Sequence, residues 1–265
     1  MSSIRRSLGA CALTLSLAFP PEHCLADSAV LTPSADASLI QVSPDNSAGG
    51  SPFFLSGTTQ NRTMNRALLQ FDIASAIPAG SQITAVGLQL EVTRQPSDGF
   101  EASLFGLHRM HRSWGEGGTV VTENPGGLGA PAAVGDATWT HRFAFDTPWA
   151  MPGGAAGTDF APIFSSSTII YGVDVYNFEG TLDMIADVQA WLDNPGTNFG
   201  WMLKSQSEEL PFTARRFASR EDPNGAGPLL FIEYQPIPEP GTWALLATAA
   251  IVLGIPSLRR KLIRR

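Results

Sequence analysis

Cysteine is nearly absent from this chain of 265 residues, which contains only Cys11 and Cys24. Both lie in an N-terminal segment that is typical of a removable leader, so the remaining chain is expected to carry no thiol. This excludes a disulfide framework, a cysteine nucleophile and a zinc site built on cysteine. The sequence also lacks a Gly-x-Ser-x-Gly elbow, a His-Glu-x-x-His pair and a phosphate-binding loop, which are motifs of three groups of enzymes.

Positive charge is scarce once the two ends are set aside. The complete chain has 17 Lys and Arg against 24 Asp and Glu. Removing residues 1–26 and 237–265 takes away seven basic and two acidic residues, which leaves 10 against 22 and a formal charge of −12. Because a body of this charge repels itself and other anions, neither nucleic acid nor an anionic lipid surface is expected as a partner.

The first residues have the three parts of a secretory signal peptide. Arg5 and Arg6 supply the charged region, and residues 8–19 form an apolar stretch too short to span a bilayer. The small residue Ala26 ends the segment, so cleavage is expected after it. Residues 8–11, Leu-Gly-Ala-Cys, resemble a lipoprotein box, so lipidation at Cys11 is an alternative. A lipoprotein box should follow the apolar stretch, however, and this one precedes most of it.

The last thirty residues also have three parts, in the order Pro238-Glu239-Pro240, an apolar run and a basic cluster. The apolar run covers residues 243–255 and can be extended to 242–258. As a helix, the seventeen residues of the extended run would reach roughly 25 Å, near the lower limit for crossing a bilayer core. Five basic residues follow it: Arg259, Arg260, Lys261, Arg264 and Arg265. Because cations stay on the cytoplasmic side, this pattern predicts a transmembrane helix with the body of the protein outside the cytoplasm.

This arrangement resembles the PEP-CTERM sorting signal of Gram-negative bacteria, whose name-giving motif is matched by Pro238, Glu239 and Pro240. The resemblance implies that exosortase, a membrane-embedded cysteine protease, is a partner that processes the precursor. The precursor would be held transiently in the inner membrane, and the mature form would reach the cell surface or the extracellular matrix. A plain C-terminal membrane anchor is the alternative.

The body between the two ends has the alternation of apolar and polar residues that is typical of β-strands. Residues 82–93 place Val86, Leu88, Leu90 and Val92 on one face, and residues 65–71 alternate in the same way. Further strands are predicted at residues 38–42, 53–57, 100–109, 138–143, 199–204, 213–219 and 229–234. Many short strands separated by turns favour an all-β fold, as a β-sandwich or jelly roll.

One segment departs from this pattern. Residues 182–193 have apolar residues at helical spacing, Asp183 in the first turn and Asn194-Pro195-Gly196 as a stop signal. They predict a short amphipathic helix that covers an end or edge of the sheets. The Gly-rich residues 115–136 and residues 148–160 show little periodicity and are predicted to be long surface loops.

A series of short segments in the body resembles the DNRLRE-type domain. In chain order, these segments are residues 65–72, 77–80, 108–116, 136–139, 149–154, 187–193, 198–204 and 216–221. The resemblance implies a β-sandwich domain over residues 27–235, between a signal peptide (1–26) and a sorting signal (236–265). It also implies a secreted protein associated with polysaccharide, in a family in which some members bind carbohydrate and hold calcium.

An oxygen-rich loop near the start of the body is the candidate metal site. Asp45 and Asn46 precede Gly49 and Gly50, and Asp36 lies just upstream. Glu221 could join them if the last strands pair beside the first. Several oxygen ligands on a flexible loop suit Ca²⁺, whereas an acidic turn exposed to solvent is the alternative.

Aromatic residues are the candidates for carbohydrate binding, because sugars stack on aromatic rings. Trp114 and Trp149 lie in or beside the long predicted loops and are the candidate sugar-stacking residues, whereas Trp191 and Trp201 are expected in the core. Packing within the protein is the alternative for each of them. The histidines at positions 108, 111 and 141 are expected to be structural.

Four charged residues of the body could be taken for an active site, but they are expected to form ion pairs that hold strands together. They are Arg66, Arg216, Arg220 and Glu221. The sequence therefore predicts an exported surface or matrix protein without enzymatic activity, which binds or organises exopolysaccharide in a biofilm. A polysaccharide hydrolase or lyase on the same fold is one alternative. A structural matrix protein without a specific ligand is another.

Overall fold

The structure is a computed structural model that describes residues 26–122 and 127–236. The predicted signal peptide up to Leu25 and the predicted sorting motif and helix lie outside the described residues. Ala26, the predicted cleavage residue, is described and exposed, and it directly precedes the first strand. Within the described ranges, no helix combines the length and apolar character needed to cross a membrane.

The described chain is mostly β-strand, with two short α-helices and a single 3-10 turn at Pro195–Thr197. The elements are β1 (Asp27–Leu31), β2 (Ala35–Ile40), β3 (Asn46–Ser47), β4 (Phe53–Thr58), β5 (Met64–Gln70), α1 (Ile73–Ala76), β6 (Gln82–Arg94), β7 (Ser103–Arg109), β8 (Ala130–Pro131), β9 (His141–Phe143), β10 (Thr147–Pro148), β11 (Ser166–Ile170), β12 (Val175–Phe178), α2 (Leu182–Asp193), β13 (Trp201–Ser205), β14 (Arg215–Ala218) and β15 (Leu229–Gln235).

Eleven strands belong to one antiparallel sheet that curls around the main core, the hydrophobic cluster that includes Leu69, Leu88 and Phe217. Its order is β1-β15-β6-β14-β4-β5-β13-β7-β11, with β12 added to β6 and β2 added to β5. β14 joins the two halves of the sheet, because it pairs with β4 on one side and with β6 on the other. The small pairs β9–β10 and β3–β8 lie outside this sheet. The prediction of a β-rich body is confirmed at this level.

Alternation correctly predicted which side chains fill the main core. Val86, Leu88, Leu90 and Val92 of β6 are all buried there, together with Leu69 and other residues of β5. Burying apolar surface is worth about 25 cal/mol per Å², so this shared core is the main force that holds the two halves of the sheet together. Three strands of the large sheet were missed, namely β1, β11 and β12, since their sequences mix small, polar and exposed residues. The two-residue strands β3, β8 and β10 were missed as well.

Side chains from residues 110–114, residues 137–139 and the predicted loop 148–160 cover the outer face of β2, β5 and β13. Leu68 and Met202, on the side of the sheet away from the main core, are buried against Trp139 and Phe160. This second cluster forms because the loops bring large aromatic side chains over a strand face that is itself apolar. The prediction of a surface loop was therefore wrong for part of residues 148–160, where Trp149 and Phe160 are buried, whereas the described residues of 115–136 are mostly exposed or half-buried.

Helix α2 has the predicted bounds, Leu182–Asp193. Thr181 is its N-cap, and the Thr181 side chain accepts a hydrogen bond from the amide of Met184. Met184, Val188 and Trp191 of this helix enter the main core. Leu182, predicted on the apolar face, is 85% exposed. Because each residue turns a helix by about 100°, Leu182 lies about 160° around the axis from Met184 and faces solvent.

Candidate functional site

Three carboxylates from distant parts of the chain meet at one end of the sheet. Asp36 lies near the start of β2, Glu116 lies in the segment after β7, and Glu221 follows β14. Each offers an oxygen, and these oxygens all lie within 4.8 Å of one another. For Asp36 and Glu221 the convergence follows from the strand order, because β2 and β4 both pair with β5 and β14 pairs with β4. This group is called the acidic triad below.

Arg220 ties the acidic triad together. Its Nη2 lies 2.7 Å from Glu116 Oε2, and its Nε lies 2.7 Å from Glu221 Oε1. Its backbone amide donates to Asp36 Oδ2 at 2.9 Å, and the amide of Asp36 donates to Glu116 Oε1 at 2.8 Å. Arg220 therefore contacts Glu116 and Glu221 through its guanidinium and Asp36 through its backbone amide.

The acidic triad is short of positive charge. Asp36 is only 1% exposed, and this burial raises its pKa to about 8, helped by the neighbouring Glu221 and Glu116. Burial also raises the pKa of Glu116. The site holds three carboxyl groups against the single charge of Arg220, and an electrostatic deficit of this kind favours either protonation or a bound cation.

The donor set fits a hard divalent cation such as Ca²⁺, which takes several carboxylate oxygens at once. Asp36, Glu116 and Glu221 would hold the ion. Arg220 already occupies one oxygen of each glutamate, so an incoming ion would share or displace its contacts. The charge balance and the oxygen ligands thus agree with a calcium site, and Arg220 is the competing cation.

The other two predicted ligands lie elsewhere. Asp45 Oδ1 accepts a hydrogen bond from the Thr140 hydroxyl at 2.8 Å. Asn46 belongs to β3, and its Nδ2 donates to the Leu128 carbonyl at 2.8 Å. These contacts hold Asp45 and Asn46 against other loop residues. Because β3 pairs with β8, the segment that carries them lies away from the acidic triad. Of the four predicted ligands, the structure brings together Asp36 and Glu221, and it adds Glu116, which sequence reasoning missed.

Glu116 gave no usable signal in the sequence. It stands in a Gly-rich segment without periodicity, eighty residues from Asp36. Its position depends on close backbone approach, because a Cβ added at Gly49 would lie 2.0 Å from the Glu116 carbonyl oxygen. Only the folded arrangement of these loops shows that this glutamate reaches the site.

Trp114 and Trp149, the predicted sugar-stacking residues, are both buried in the second cluster. Trp114 Nε1 donates to the Phe199 carbonyl and Trp149 Nε1 donates to the Thr138 carbonyl, each at 2.9 Å. With 8% and 4% of their surfaces exposed, neither presents an open ring face for stacking. In this structure their role is packing, because the loops that carry them fold onto the sheet. Trp191 and Trp201 lie in the main core, as expected.

The arginines largely form the predicted ion pairs. Arg66 forms a bidentate ion pair with Glu208, in which Nε donates to Oε1 at 2.7 Å and Nη2 donates to Oε2 at 2.8 Å. Its guanidinium also lies over the rings of Trp139 and Phe160. Arg220 pairs with Glu221 and Glu116 as described above. Arg216 is the exception, because it stacks on a phenylalanine instead of an acidic side chain.

His108 is structural in this fold. It is buried, and its Nδ1 contacts the Ala161 carbonyl at 2.8 Å while its Nε2 lies 3.0 Å from the amide nitrogen of Gln206. Both ring nitrogens are therefore used within the protein. Burial lowers the pKa of His108, so the neutral ring is the stable form near neutral pH.

Comparison with known proteins adds no relative. No protein-family model matches the chain, and no curated protein is significantly similar to it. The resemblances given above consequently rest on their motifs alone.

The raised pKa of Asp36 predicts a specific pH dependence of stability. The folded protein keeps the Asp36 proton up to about pH 8, whereas the unfolded chain loses it near the ordinary value. In buffer with a chelator, the free energy of unfolding should therefore fall as pH rises from about 4 to about 8, by at most about 6 kcal/mol. Urea unfolding across this range measures the effect.

The control is Asp36→Asn, which is neutral in both states. This variant should match the natural protein near pH 4 and exceed its stability at pH 8. Parallel pH profiles for the two proteins would contradict the raised pKa.

Proposed function

We propose that the protein is exported, processed by exosortase at a PEP-CTERM signal, and acts outside the cell as a binder or organiser of exopolysaccharide. Its body is proposed to be a β-sandwich of the DNRLRE type and to have no enzymatic activity. The observation that carries the proposal is the combination of tripartite termini with a body that is acidic and rich in β-strand. The acidic triad supplies a place for Ca²⁺ in that body.

The positions of the first and last strands support processing at both ends. β1 begins at Asp27, immediately after the proposed cleavage residue, and β15 ends at Gln235, just before the sorting segment. These two strands pair with each other over five residues. Both terminal segments could therefore be removed without taking away a strand residue.

The architecture supports a role that needs a stiff body. The main core is shared by both halves of the sheet, and α2 is tied to it through Asp187, which accepts a hydrogen bond from Trp201 Nε1 at 2.8 Å. Arg109 lies 3.3 Å from the same carboxylate. A rigid body of this kind is suited to presenting fixed surfaces to a polymer matrix.

Calcium binding is the first testable consequence. Millimolar Ca²⁺ should raise the melting temperature at pH 7.5–8 by several degrees, because the ion neutralises the acidic triad and binds only the folded state. Differential scanning calorimetry with and without Ca²⁺ measures the shift. Glu116→Gln and Glu221→Gln should each abolish most of it.

Asp45→Asn is the matched control, because Asp45 is acidic and near in sequence but lies outside the acidic triad. This variant should keep the full response to calcium. The calcium site would be ruled out by an unchanged melting temperature in the natural protein, or by an equal shift in Glu116→Gln.

The proposed activity predicts binding without turnover. The exported protein should be retained by the producing cell's own exopolysaccharide in affinity electrophoresis, and the polysaccharide should be recovered with no new reducing ends and no unsaturated products. Products of either kind would favour the hydrolase or lyase alternative. Migration unaffected by the polysaccharide would favour a structural protein without a specific ligand.

A further inference from the structure

A cleft of about 350 Å³ opens where the β4–β5 hairpin meets the end of β6 and the start of β14. Its apolar lining includes Leu55 and Leu128, and the remaining lining is mainly polar. The polar residues used below are Gln60, Asn65, Arg94, Asp98, Arg215 and Arg216. None of these belongs to the acidic triad, so the cleft is a separate feature of the molecule. A volume of this size falls in the range of small-ligand sites.

Two arginines face each other across paired strands in this cleft. Arg94 of β6 and Arg216 of β14 are register partners. Throughout residues 26–122 and 127–236, neither forms an ion pair, whereas Arg66, Arg109, Lys204 and Arg220 all do. Arg62, Arg112, Arg142 and Arg215 also form no ion pair in these ranges, so what distinguishes Arg94 and Arg216 is that they are register partners that line one cleft.

The guanidinium of Arg216 is held in place by stacking. Its central carbon lies 3.7 Å from the ring centroid of Phe53, a favourable cation–π arrangement. Partial burial, and then the charge of Arg94, lower the pKa of Arg216. Asp222 acts in the opposite direction, but more weakly than Arg94. The two cations therefore repel each other, and an anion bound between them would relieve this repulsion.

A buried amide gives the cleft a second polar feature. Asn65 is 3% exposed and lines the cleft, and its Oδ1 has no hydrogen-bond partner in the described part of the chain. A buried acceptor left without a donor costs roughly 1–3 kcal/mol. Because this oxygen has almost no accessible surface, the side-chain amide would have to turn before a hydroxyl group in the cleft could supply the missing donor.

The rim also carries a carboxylate, which limits the charge of a suitable ligand. The side-chain amide of Gln60 faces both carboxylate oxygens of Asp98, and with its nitrogen on that side it donates to Oδ1 at 3.1 Å. The lining therefore carries three positive charges, on Arg94, Arg215 and Arg216, against one negative charge, and the guanidinium of Arg215 already donates to backbone carbonyls. This leaves Arg94 and Arg216 for a negatively charged ligand group, while Asp98 disfavours a dense polyanion.

We propose that this cleft binds one negatively charged sugar residue of a polysaccharide. Its carboxylate, sulfate or phosphate group contacts Arg94 and Arg216, and one of its hydroxyl groups donates to Asn65 Oδ1. The three anionic groups share the chemistry that arginine recognises, since each offers oxygens to N–H donors. The inference rests on the proposed function, because it names the class of polysaccharide that the protein takes.

Isothermal titration of the exported protein with defined probes tests this assignment. The probes are a hexuronic-acid trisaccharide, a sulfated disaccharide, a hexose phosphate, a neutral hexose trisaccharide and inorganic phosphate alone. At least one charged sugar should bind, with an affinity that falls as NaCl rises. The neutral trisaccharide and inorganic phosphate should bind at least tenfold more weakly.

Arg94→Gln and Arg216→Gln should each weaken binding of the preferred charged sugar by at least tenfold. Arg112→Gln is the matched control, because Arg112 is exposed and lies outside the cleft, and it should leave binding unchanged. The salt dependence in the natural protein provides a readout that does not depend on the folding of any variant.

The outcomes separate this inference from the proposed function. Equal affinity for charged and neutral sugars, full affinity in both cleft variants, or inorganic phosphate binding as tightly as any sugar would overturn the cleft assignment. If those variants are still retained by the exopolysaccharide, the proposed function stands and the cleft assignment fails. If the natural protein binds a charged sugar through the arginines but ignores the exopolysaccharide, the cleft assignment stands and the proposed function fails.

Discussion

A shortage of positive charge constrains the whole body of this protein, in which 10 basic residues serve 22 acidic ones. Arg66 and Lys204 share Glu208, and Arg220 serves two glutamates of the acidic triad. Arg215 is buried and donates to backbone carbonyls, including that of Glu101 at 2.7 Å. The acidic triad is consequently left short of cations, and the cleft at Arg94 and Arg216 has an excess of them. These two imbalances are where the fold has capacity for a cation and for an anion.

The curled sheet makes these two sites possible by bringing distant segments together. β14 lies between β4 and β6, and therefore places Arg216 beside Arg94 at one end and leads to Arg220 and Glu221 at the other. The covering loops stabilise the opposite side of the sheet, where Arg66 contacts the carbonyl of Gly153 at 2.8 Å. Packing on both faces of β5 fixes the strands that carry the candidate sites.

Local patterns predicted what depends on local physics. The bounds of α2 and the buried face of β6 were predicted from helical spacing, its stop signal and alternation. The meeting of Asp36 with Glu221 was predicted only on the condition that the last strands pair beside the first. Glu116 could not be predicted, because its position depends on contacts between loops far apart in sequence.

The roles of other residues were obscured for the same reason. Trp114 and Trp149 stand in segments that resemble surface loops in composition, and their burial depends on the apolar outer face of β2, β5 and β13. Arg216 stacks on Phe53, is the register partner of Arg94 and forms no ion pair within the described residues. None of these relations has a signature in a single segment.

The proposed function depends most directly on export and processing of the chain. Mass spectrometry of intact protein recovered from the extracellular matrix fraction tests this. The account predicts a species that begins at Asp27 and has lost the apolar run and the basic cluster that ends at Arg265. Recovery of the native protein from the cytosol, with Met1 and Arg265 both present, would contradict it.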